Sequence, residues 1–177
     1  QKNGDSYVVN KSHILSVWDT KNQCYLDKPV TEVIKNQNRY KGYKASARFL
    51  NLHTSLPIDP YYLGLWLGDG DKDGANITNV DEEVIGFLYK HADESGHVIS
   101  HDGGMRYRYI GNTGDGGYQR LLLEMHLLNN KHIPQIYKAS GYNDRLELLA
   151  GLIDTDGNHI NGMHEITQKS KRLAEDI

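Results

Sequence analysis

The sequence contains a single cysteine, Cys24, among its 177 residues. An internal disulfide and a cysteine-rich zinc site are therefore excluded, and the cysteine usage is typical of a reducing, intracellular setting. The chain also lacks any apolar run longer than a few residues, which excludes a transmembrane helix, and no signal-peptide pattern opens it. Hydrophobic residues make up 38%, enough to build the core of one domain or slightly more.

A strongly basic balance is missing as well, and charge is uneven along the chain. The first 50 residues contain nine Lys or Arg and four Asp or Glu, whereas the remaining 127 contain eleven and nineteen. This shift predicts two units that meet near residues 50–57. Neither unit has the balance expected of a nonspecific nucleic-acid binder, so any DNA contact would depend on locally placed basic groups.

The first unit is predicted to be rich in β-structure. SYVVN (6–10), HILSVWD (13–19) and CYLDKPVTEVI (24–34) have the β-branched and aromatic content of strands, with a polar turn over 19–23. The following stretch RYKGYKASARF (39–49) interleaves basic and aromatic residues. It could grip and stack on a phosphate backbone, or it could be an edge strand protected by its charges.

The second unit has an α+β pattern. Asp59 as N-cap and Pro60 in the first turn predict an apolar, buried helix that ends at Gly68 and Gly70. We then expect a strand over 75–80, a helix over 81–96, a hairpin of strands 96–100 and 105–111, and a helix over 118–128.

An internal repeat relates two parts of this unit. A shift of 87 residues places LGLWLGDGD (63–71) over AGLIDTDGN (150–158), so that Gly64 matches Gly151 and Asp69 matches Asp156. Small residues spaced by four allow close helix packing. We therefore expect helices over 60–69 and 144–155 to pack in parallel with axes about 8 Å apart. The two carboxylates should then lie within roughly 8 Å of each other, at a spacing suited to divalent metal.

A calcium loop is the alternative for the first copy, because aspartates at 69, 71 and 73 alternate and are followed by Gly74. The pattern then fails, since Asn76 stands where an apolar residue belongs and Val80 where the bidentate glutamate belongs. The second copy has His159 in place of the glycine. Carboxylates at the negative ends of two converging helices instead require a cation between them.

The motifs IDPYYLGLWLGDG (58–70), NNKHIP (129–134) and LLAGLIDTDG (148–157) occur in this order. With them the chain resembles the LAGLIDADG homing endonucleases, especially those embedded in inteins of the vacuolar-ATPase and splicing-factor type. Near the N-terminus, YVVNKSHIL (7–15) resembles an intein splicing block. The resemblance implies a partial splicing (Hint) domain over 1–56, and a LAGLIDADG endonuclease domain with two pseudo-symmetric motif helices over 57–177.

The resemblance also implies roles for particular residues. Asp69 and Asp156 match the motif aspartates that bind Mg²⁺, each serving the cleavage of one DNA strand, and Lys131 matches a lysine near the active site. The reaction would be metal-assisted hydrolysis of phosphodiester bonds. We expect Asp71 and Asp73 to lie in a solvated turn. Asp154 should be buried or capping.

Further expectations concern DNA and splicing. Arg106 and Arg108 would share one strand face and contact double-stranded DNA, because such a family recognises DNA through twisted strands. His13 would help to activate the N-terminal scissile peptide bond, and Asn10 stands where many inteins have Thr. His97 and His101 lie in strand and turn sequence, so we expect no zinc site there.

Gln1 cannot act as the splicing nucleophile, and the second nuclease half stops without its own recognition strands. We therefore expect a fragment that neither splices nor cuts efficiently alone.

Its partners would be double-stranded DNA and the host protein's exteins in cis, without a membrane. It would be a monomer with an internal pseudo-two-fold axis. We expect it inside the cell with its host protein, and in the nucleus or nucleoid for DNA cleavage. The alternative is a catalytically inactive intein remnant, which the acidic balance of the second unit favours.

Overall fold

The computed structural model describes residues 8–43, 55–101, 103–111 and 117–177. The chain forms two compact units, Gln1–Ala47 and Arg48–Ile177. The predicted boundary at residue 56 follows a stretch, 44–54, that lies outside the described residues. Most of the basic and aromatic segment 39–49 and part of the segment 6–10 lie outside them too.

The first unit is built on a small antiparallel sheet. Its elements are β1 (Ile14–Asp19), β2 (Cys24–Pro29), α1 (Val30–Lys35) and β3 (Tyr40–Gly42). The strand order is β2-β1-β3, and the β1–β2 register pairs Asp19 with Cys24 across the predicted turn. Two of the predicted strands are therefore confirmed, including the position of Cys24 at the start of a strand.

Two sequence expectations for this unit are wrong. Residues 30–34 form helix α1 rather than a strand, and Pro29, with φ −57° and ψ 139°, is the N-cap residue at which that helix begins. Glu32 on that helix pairs with Lys28 at 2.9 Å and accepts from the Tyr40 hydroxyl. Residues 8–10 are not part of a strand.

The second unit is a mixed α and β structure, as expected. In chain order it contains α2 (Pro60–Asp69), β4 (Asn76–Thr78), α3 (Glu82–Glu94), β5 (His97–His101), β6 (Arg106–Gly111), α4 (Gly117–Glu124), α5 (Gln135–Lys138), α6 (Tyr142–Asp156), β7 (Gly157–Ile160), β8 (Met163–Ile166) and α7 (Lys171–Asp176). Helix α4 is shorter than predicted, because His126 adopts a left-handed conformation with φ 57° and the chain turns there.

Helix α2 is the centre of the core. The Asp59 carboxylate accepts from the Tyr62 amide at 2.9 Å, and Pro60 occupies the first turn, so the helix begins as predicted. Nearly every residue from Pro60 to Leu67 is buried. Tyr137, from α5, supports its entry by hydrogen bonding to both the amide and the carbonyl of Ile58. Burial of α2 and the hydrogen bonds at its start therefore hold the helix in place.

A three-stranded antiparallel sheet with the order β4-β6-β5 packs on this core. Its inner face carries Tyr107 and Tyr109, and its outer face carries Arg106 and Arg108, as the alternating burial of β6 shows. The two-residue period predicted for this strand is confirmed.

A second strand pair, β7 with β8, directly follows α6. This short hairpin was not predicted from the sequence, and the expected lack of a set of recognition strands in the second half stays a prediction. The tight turn at Asn161 and Gly162, both with positive φ, makes this hairpin possible.

Across the described ranges, no helix combines the length and the apolar character needed to cross a bilayer.

Candidate functional site

Helices α2 and α6 touch through their backbones. A β-carbon added to Gly64 would lie 3.0 Å from the Gly151 Cα and still closer to the Leu148 carbonyl oxygen. One added to Gly151 would lie 2.8 Å from the Leu65 amide nitrogen. Real β-carbons do not approach other atoms this closely, so only glycine is compatible with the contact.

The contact continues toward the C-terminal ends of both helices. A β-carbon on Gly68 would lie 2.6 Å from the Thr155 Cβ and 3.4 Å from Asp156 Oδ2. Because contacts advance along both helices in the same direction, the helices run in parallel. The parallel packing expected from the repeat is confirmed.

The two helices therefore end side by side at Asp69 and Asp156, which are the last residues of α2 and α6. Both are partly buried. Burial and the nearby Asp156 charge raise the pKa of Asp69, while a hydrogen bond from Asn79 and the charge of Lys131 act in the opposite direction. The site thus holds two carboxylates at the negative ends of two helix dipoles.

Lys131 enters the site from the loop before α5. Its Nζ donates to the carbonyl oxygens of Gly70 at 2.7 Å and Gly68 at 3.2 Å, and lies 5.0 Å from the centre of the Trp66 ring. Burial lowers its pKa to about 8, although Asp156, Asp69 and Asp71 all favour the charged form. The structure thus brings together the three residues predicted for catalysis.

Two carboxamides that sequence reasoning missed complete this arrangement. Asn79 Nδ2 donates to Asp69 Oδ2 at 2.8 Å, and Gln168 Nε2 donates to Asp156 Oδ2. Neither residue falls within the repeated motif. Asn79 lies within the strand predicted over 75–80, and no sequence signal there marks it as a partner of Asp69.

The donor set fits a magnesium ion. Among the described residues, no three His, Cys, Asp or Glu side chains lie together as a metal cluster. Mg²⁺ does not need one, since it is held in many nucleotide enzymes by one or two carboxylates, with waters and substrate phosphates in the other positions. Asp69 and Asp156 supply such a pair.

A calcium loop does not form around the first motif. Asp69 ends α2 and bonds to Asn79, whereas the Asp71 carboxylate accepts from Asn76 Nδ2 at 2.7 Å and pairs with Arg106. Asp73 is exposed, as expected of a turn residue. Burial would raise the pKa of Asp71, but the bonds from Asn76 and Arg106 outweigh it and lower that pKa. The expectation of a merely solvated Asp71 is therefore wrong.

The expectation for Asp154 is also wrong. This residue is exposed and caps no helix; its Oδ2 accepts a 2.6 Å hydrogen bond from the Tyr61 hydroxyl. Because Tyr61 belongs to α2 and Asp154 to α6, the bond links the outer sides of the two motif helices. Burial and this bond raise the pKa of the Tyr61 hydroxyl, which stays protonated.

A basic pocket lies on the outer face of the three-stranded sheet. It has a volume of about 230 Å³ and is lined by Asn76, Ser100, Arg106 and Arg108. Arg108 donates to Gln119 at 3.1 Å, and Arg106 pairs with Asp71. Two exposed guanidinium groups in one pocket can hold a phosphate group.

The residues of the predicted splicing block lie in the first unit, where His13 and Asn10 are exposed. The His13 amide donates to the Asn10 carbonyl at 3.2 Å, and the Ser12 hydroxyl donates to the Asn10 side chain. These bonds form a turn that leads into β1. The His13 carbonyl accepts from the Val30 amide and so anchors this turn to the end of β2.

Comparison with known proteins shows a partial similarity. The chain is similar to the replicative DNA helicase DnaB of Mycobacterium intracellulare, with 36% identity over 134 residues that make up 75% of this chain and 20% of that protein. The chain thus spans about a fifth of the length of the curated relative that it matches. No protein-family model matches the chain.

Proposed function

We propose that the second unit is a LAGLIDADG-type endonuclease that cuts double-stranded DNA, and that the first unit is part of the intein splicing domain that carries it. The main support is the backbone contact of α2 with α6, which ends in Asp69 and Asp156 beside Lys131. Two carboxylates at the negative ends of two helices are costly, and one half-buried lysine offsets only part of that cost, so the arrangement favours a further cation.

In this proposal Asp69 and Asp156 hold divalent metal through their carboxylates. When bound, Mg²⁺ supplies Lewis-acid stabilisation of the attacked phosphate and a water of lowered pKa. Lys131 offsets part of the negative potential and, through its bonds to Gly68 and Gly70, fixes the backbone on either side of Asp69. Its third N–H can donate to a phosphate oxygen.

DNA would lie along the outer face of the β4-β6-β5 sheet. Arg106 and Arg108 are exposed there and share a pocket with Asn76 and Ser100. Guanidinium groups can bind phosphate or read guanine, and amides and hydroxyls add further donors. Two basic groups thus lie together on the exposed face of the sheet, although the unit as a whole is acidic.

The limited extent of the DnaB similarity supports an inserted element. An intein in one host gene aligns with only that part of another protein that carries a related insert. These 177 residues contain no P-loop sequence of the kind an ATP-driven helicase uses. We propose a replicative DNA helicase as the host, and the flanking coding sequence tests this assignment.

Substitution of the motif aspartates tests the proposed activity. The chain is expressed with the flanking sequence that its gene encodes and is assayed on duplexes of the uninterrupted host gene. Asp69→Asn and Asp156→Asn should each abolish double-strand cleavage but retain DNA binding, because each removes a metal ligand and no groove contact. Asp73→Asn, on the adjacent exposed turn, is the matched control and should cut normally. Wild-type cleavage by both single variants would overturn the proposal.

An inactive intein remnant is the second candidate. It is favoured by the excess of nineteen Asp or Glu over eleven Lys or Arg after residue 50, since a phosphate backbone repels acidic surfaces. The same cleavage assay decides between the two. If the wild-type protein binds and cuts none of these duplexes in Mg²⁺, the remnant is the correct assignment.

A further inference from the structure

The two motif aspartates have the same kind of hydrogen-bond partner. Asn79 directly follows β4, the first strand after Asp69, and its side-chain N–H donates to Asp69 Oδ2 at 2.8 Å. Gln168 follows β8, the end of the hairpin after Asp156, and its side-chain N–H donates to Asp156 Oδ2. In each half of the unit, a neutral carboxamide that follows the strands after the motif helix donates a hydrogen bond to the aspartate at the end of that helix.

The orientation of Asn79 is fixed by three hydrogen bonds. The residue is 9% exposed, its Oδ1 accepts from the Asp81 amide at 2.7 Å, and its own amide donates to the Met105 carbonyl at 3.0 Å. The side-chain NH₂ group can therefore point in only one direction, toward Asp69. Asp81 is the N-cap residue of helix α3. The Asp69 carboxylate is therefore connected, through Asn79, to the start of that helix.

Gln168 is held less tightly. It is partly buried, and the neighbouring Thr167 amide donates to the Asp156 carbonyl at 3.4 Å, which keeps the segment next to the end of α6. Because Gln168 is only partly buried whereas Asn79 is buried, we expect the Asp156 carboxylate to retain more freedom than that of Asp69.

A carboxamide donor is suited to a metal site in a way that a cation is not. It occupies one lone-pair direction of Oδ2 and leaves Oδ1 open, yet it adds no positive charge that would compete with a metal ion. Asp71 shows the contrast, since its carboxylate is neutralised by the Arg106 guanidinium.

We infer that Asn79 and Gln168 are positioning residues, which orient the carboxylates of Asp69 and Asp156 for a divalent or trivalent cation. The inference rests on the proposed function, because it takes these two aspartates as the metal ligands. Partners of this kind typically contribute 10- to 100-fold to metal affinity.

Terbium binding to the chain, without DNA, tests this inference. Trp66 lies one turn before Asp69 and can sensitise Tb³⁺ luminescence, and competition with Mg²⁺ then reports the Mg²⁺ affinity. Asn79→Ala and Gln168→Ala should each weaken binding about tenfold or more. Asn22→Ala is the matched control, because it removes a hydrogen bond of the same type, at 2.9 Å, from Asp19 in the first unit and should leave the affinity unchanged.

Thermal unfolding of each variant separates positioning from stability. A lowered midpoint together with wild-type Tb³⁺ affinity would assign Asn79 a purely structural role and overturn the inference. Gln168→Ala, at a less buried position, keeps the test decisive if Asn79→Ala does not fold. In the cleavage assay both variants should need more Mg²⁺ for half-maximal rate and recover most of the wild-type rate at saturation.

Asp69→Asn and Asp156→Asn distinguish this inference from the proposed function. If these two variants bind Tb³⁺ as the wild type does, the metal site itself is misassigned and both proposals fail. If they lose binding while Asn79→Ala and Gln168→Ala retain wild-type affinity, only the positioning roles are wrong.

Discussion

Gly64 and Gly151 face each other across the contact of α2 with α6 without any side chain between them. A methyl group at either position would force the helices apart, because the neighbouring atoms belong to the backbone. We expect Gly64→Ala and Gly151→Ala each to lower the free energy of unfolding by about 1–3 kcal/mol, the usual cost of overpacking. Denaturant unfolding of the chain measures this.

Gly86→Ala provides the control for that experiment. Gly86 lies inside α3, and a β-carbon there would meet no atom within 4 Å. The substitution should stabilise the chain by about 0.5–1 kcal/mol, since alanine loses less backbone entropy in a helix than glycine does. Equal destabilisation at all three positions would show that the close contact is not the cause.

Asp71 should limit how strongly Arg106 binds DNA. Asp71→Asn removes the ion pair and releases the guanidinium, so we expect tighter duplex binding and a slope of log affinity against log salt that is steeper by about 0.9, the value for one phosphate. Fluorescence anisotropy in Ca²⁺ measures both. Asp73→Asn makes the same charge change on the exposed turn. If the two variants behave alike, Arg106 does not reach the phosphate backbone.

The ion pair of Asp19 with Arg39 should make the first unit sensitive to acid. The guanidinium donates to both oxygens of the buried carboxylate, at 2.9 and 2.7 Å, and holds the pKa of Asp19 well below its ordinary 3.8. Stability from this pair is therefore fully present above the pKa of the unfolded chain and is lost as pH falls below it.

Amide hydrogen exchange in β1 and β2, measured from pH 6 down to about pH 2 in about one-unit steps, follows this loss. Arg39→Met should weaken protection at pH 6 and flatten its dependence on pH, because the variant no longer favours the ionised carboxylate. An unchanged acid dependence in Arg39→Met would contradict the prediction.

Lys131 should also make stability rise with pH, but in the alkaline range rather than in the acid range. Burial lowers its pKa from 10.5 to about 8, so between these values the unfolded chain binds more protons and the free energy of unfolding rises with pH. Lys131→Met keeps the apolar stem over Trp66 but cannot titrate. The stability of the wild type relative to this variant should increase between pH 7 and about 9.5. A constant difference would show that the folded state does not disfavour the charged lysine.

Local sequence signals predicted much of the second unit. Asp59 and Pro60 mark the start of α2, and alternation in MRYRYIG gives the two faces of β6. The repeat also predicted the parallel helix contact. It places a glycine at the same position of both helices, Gly64 and Gly151, and small residues at matching positions allow two helices to pack closely. The signal for each of these features lies within a few neighbouring residues or in the internal repeat.

The misses depend on contacts between distant residues. Asp154 bonds to Tyr61, 93 positions away, and Asp71 to Arg106, 35 positions away. No local sequence pattern predicts either of these hydrogen-bonded pairs. The helix over Val30–Lys35 was missed for another reason, since its β-branched residues favour a strand and only the proline before it signals the change.

Backbone contact at the two glycines also bears on how this molecule can diverge over evolutionary time. Where helices are separated by side chains, each core substitution shifts the elements slightly, and the spacing of groups at their ends drifts with it. Here the backbone contact of Gly64 with Gly151 sets the separation of Asp69 from Asp156. Repacking of side chains around Tyr62 or Leu152 therefore leaves that separation unchanged. The outer sheet face, in contrast, can accept new residues freely. Substitutions can therefore accumulate on that face while the distance between the two acidic groups stays the same.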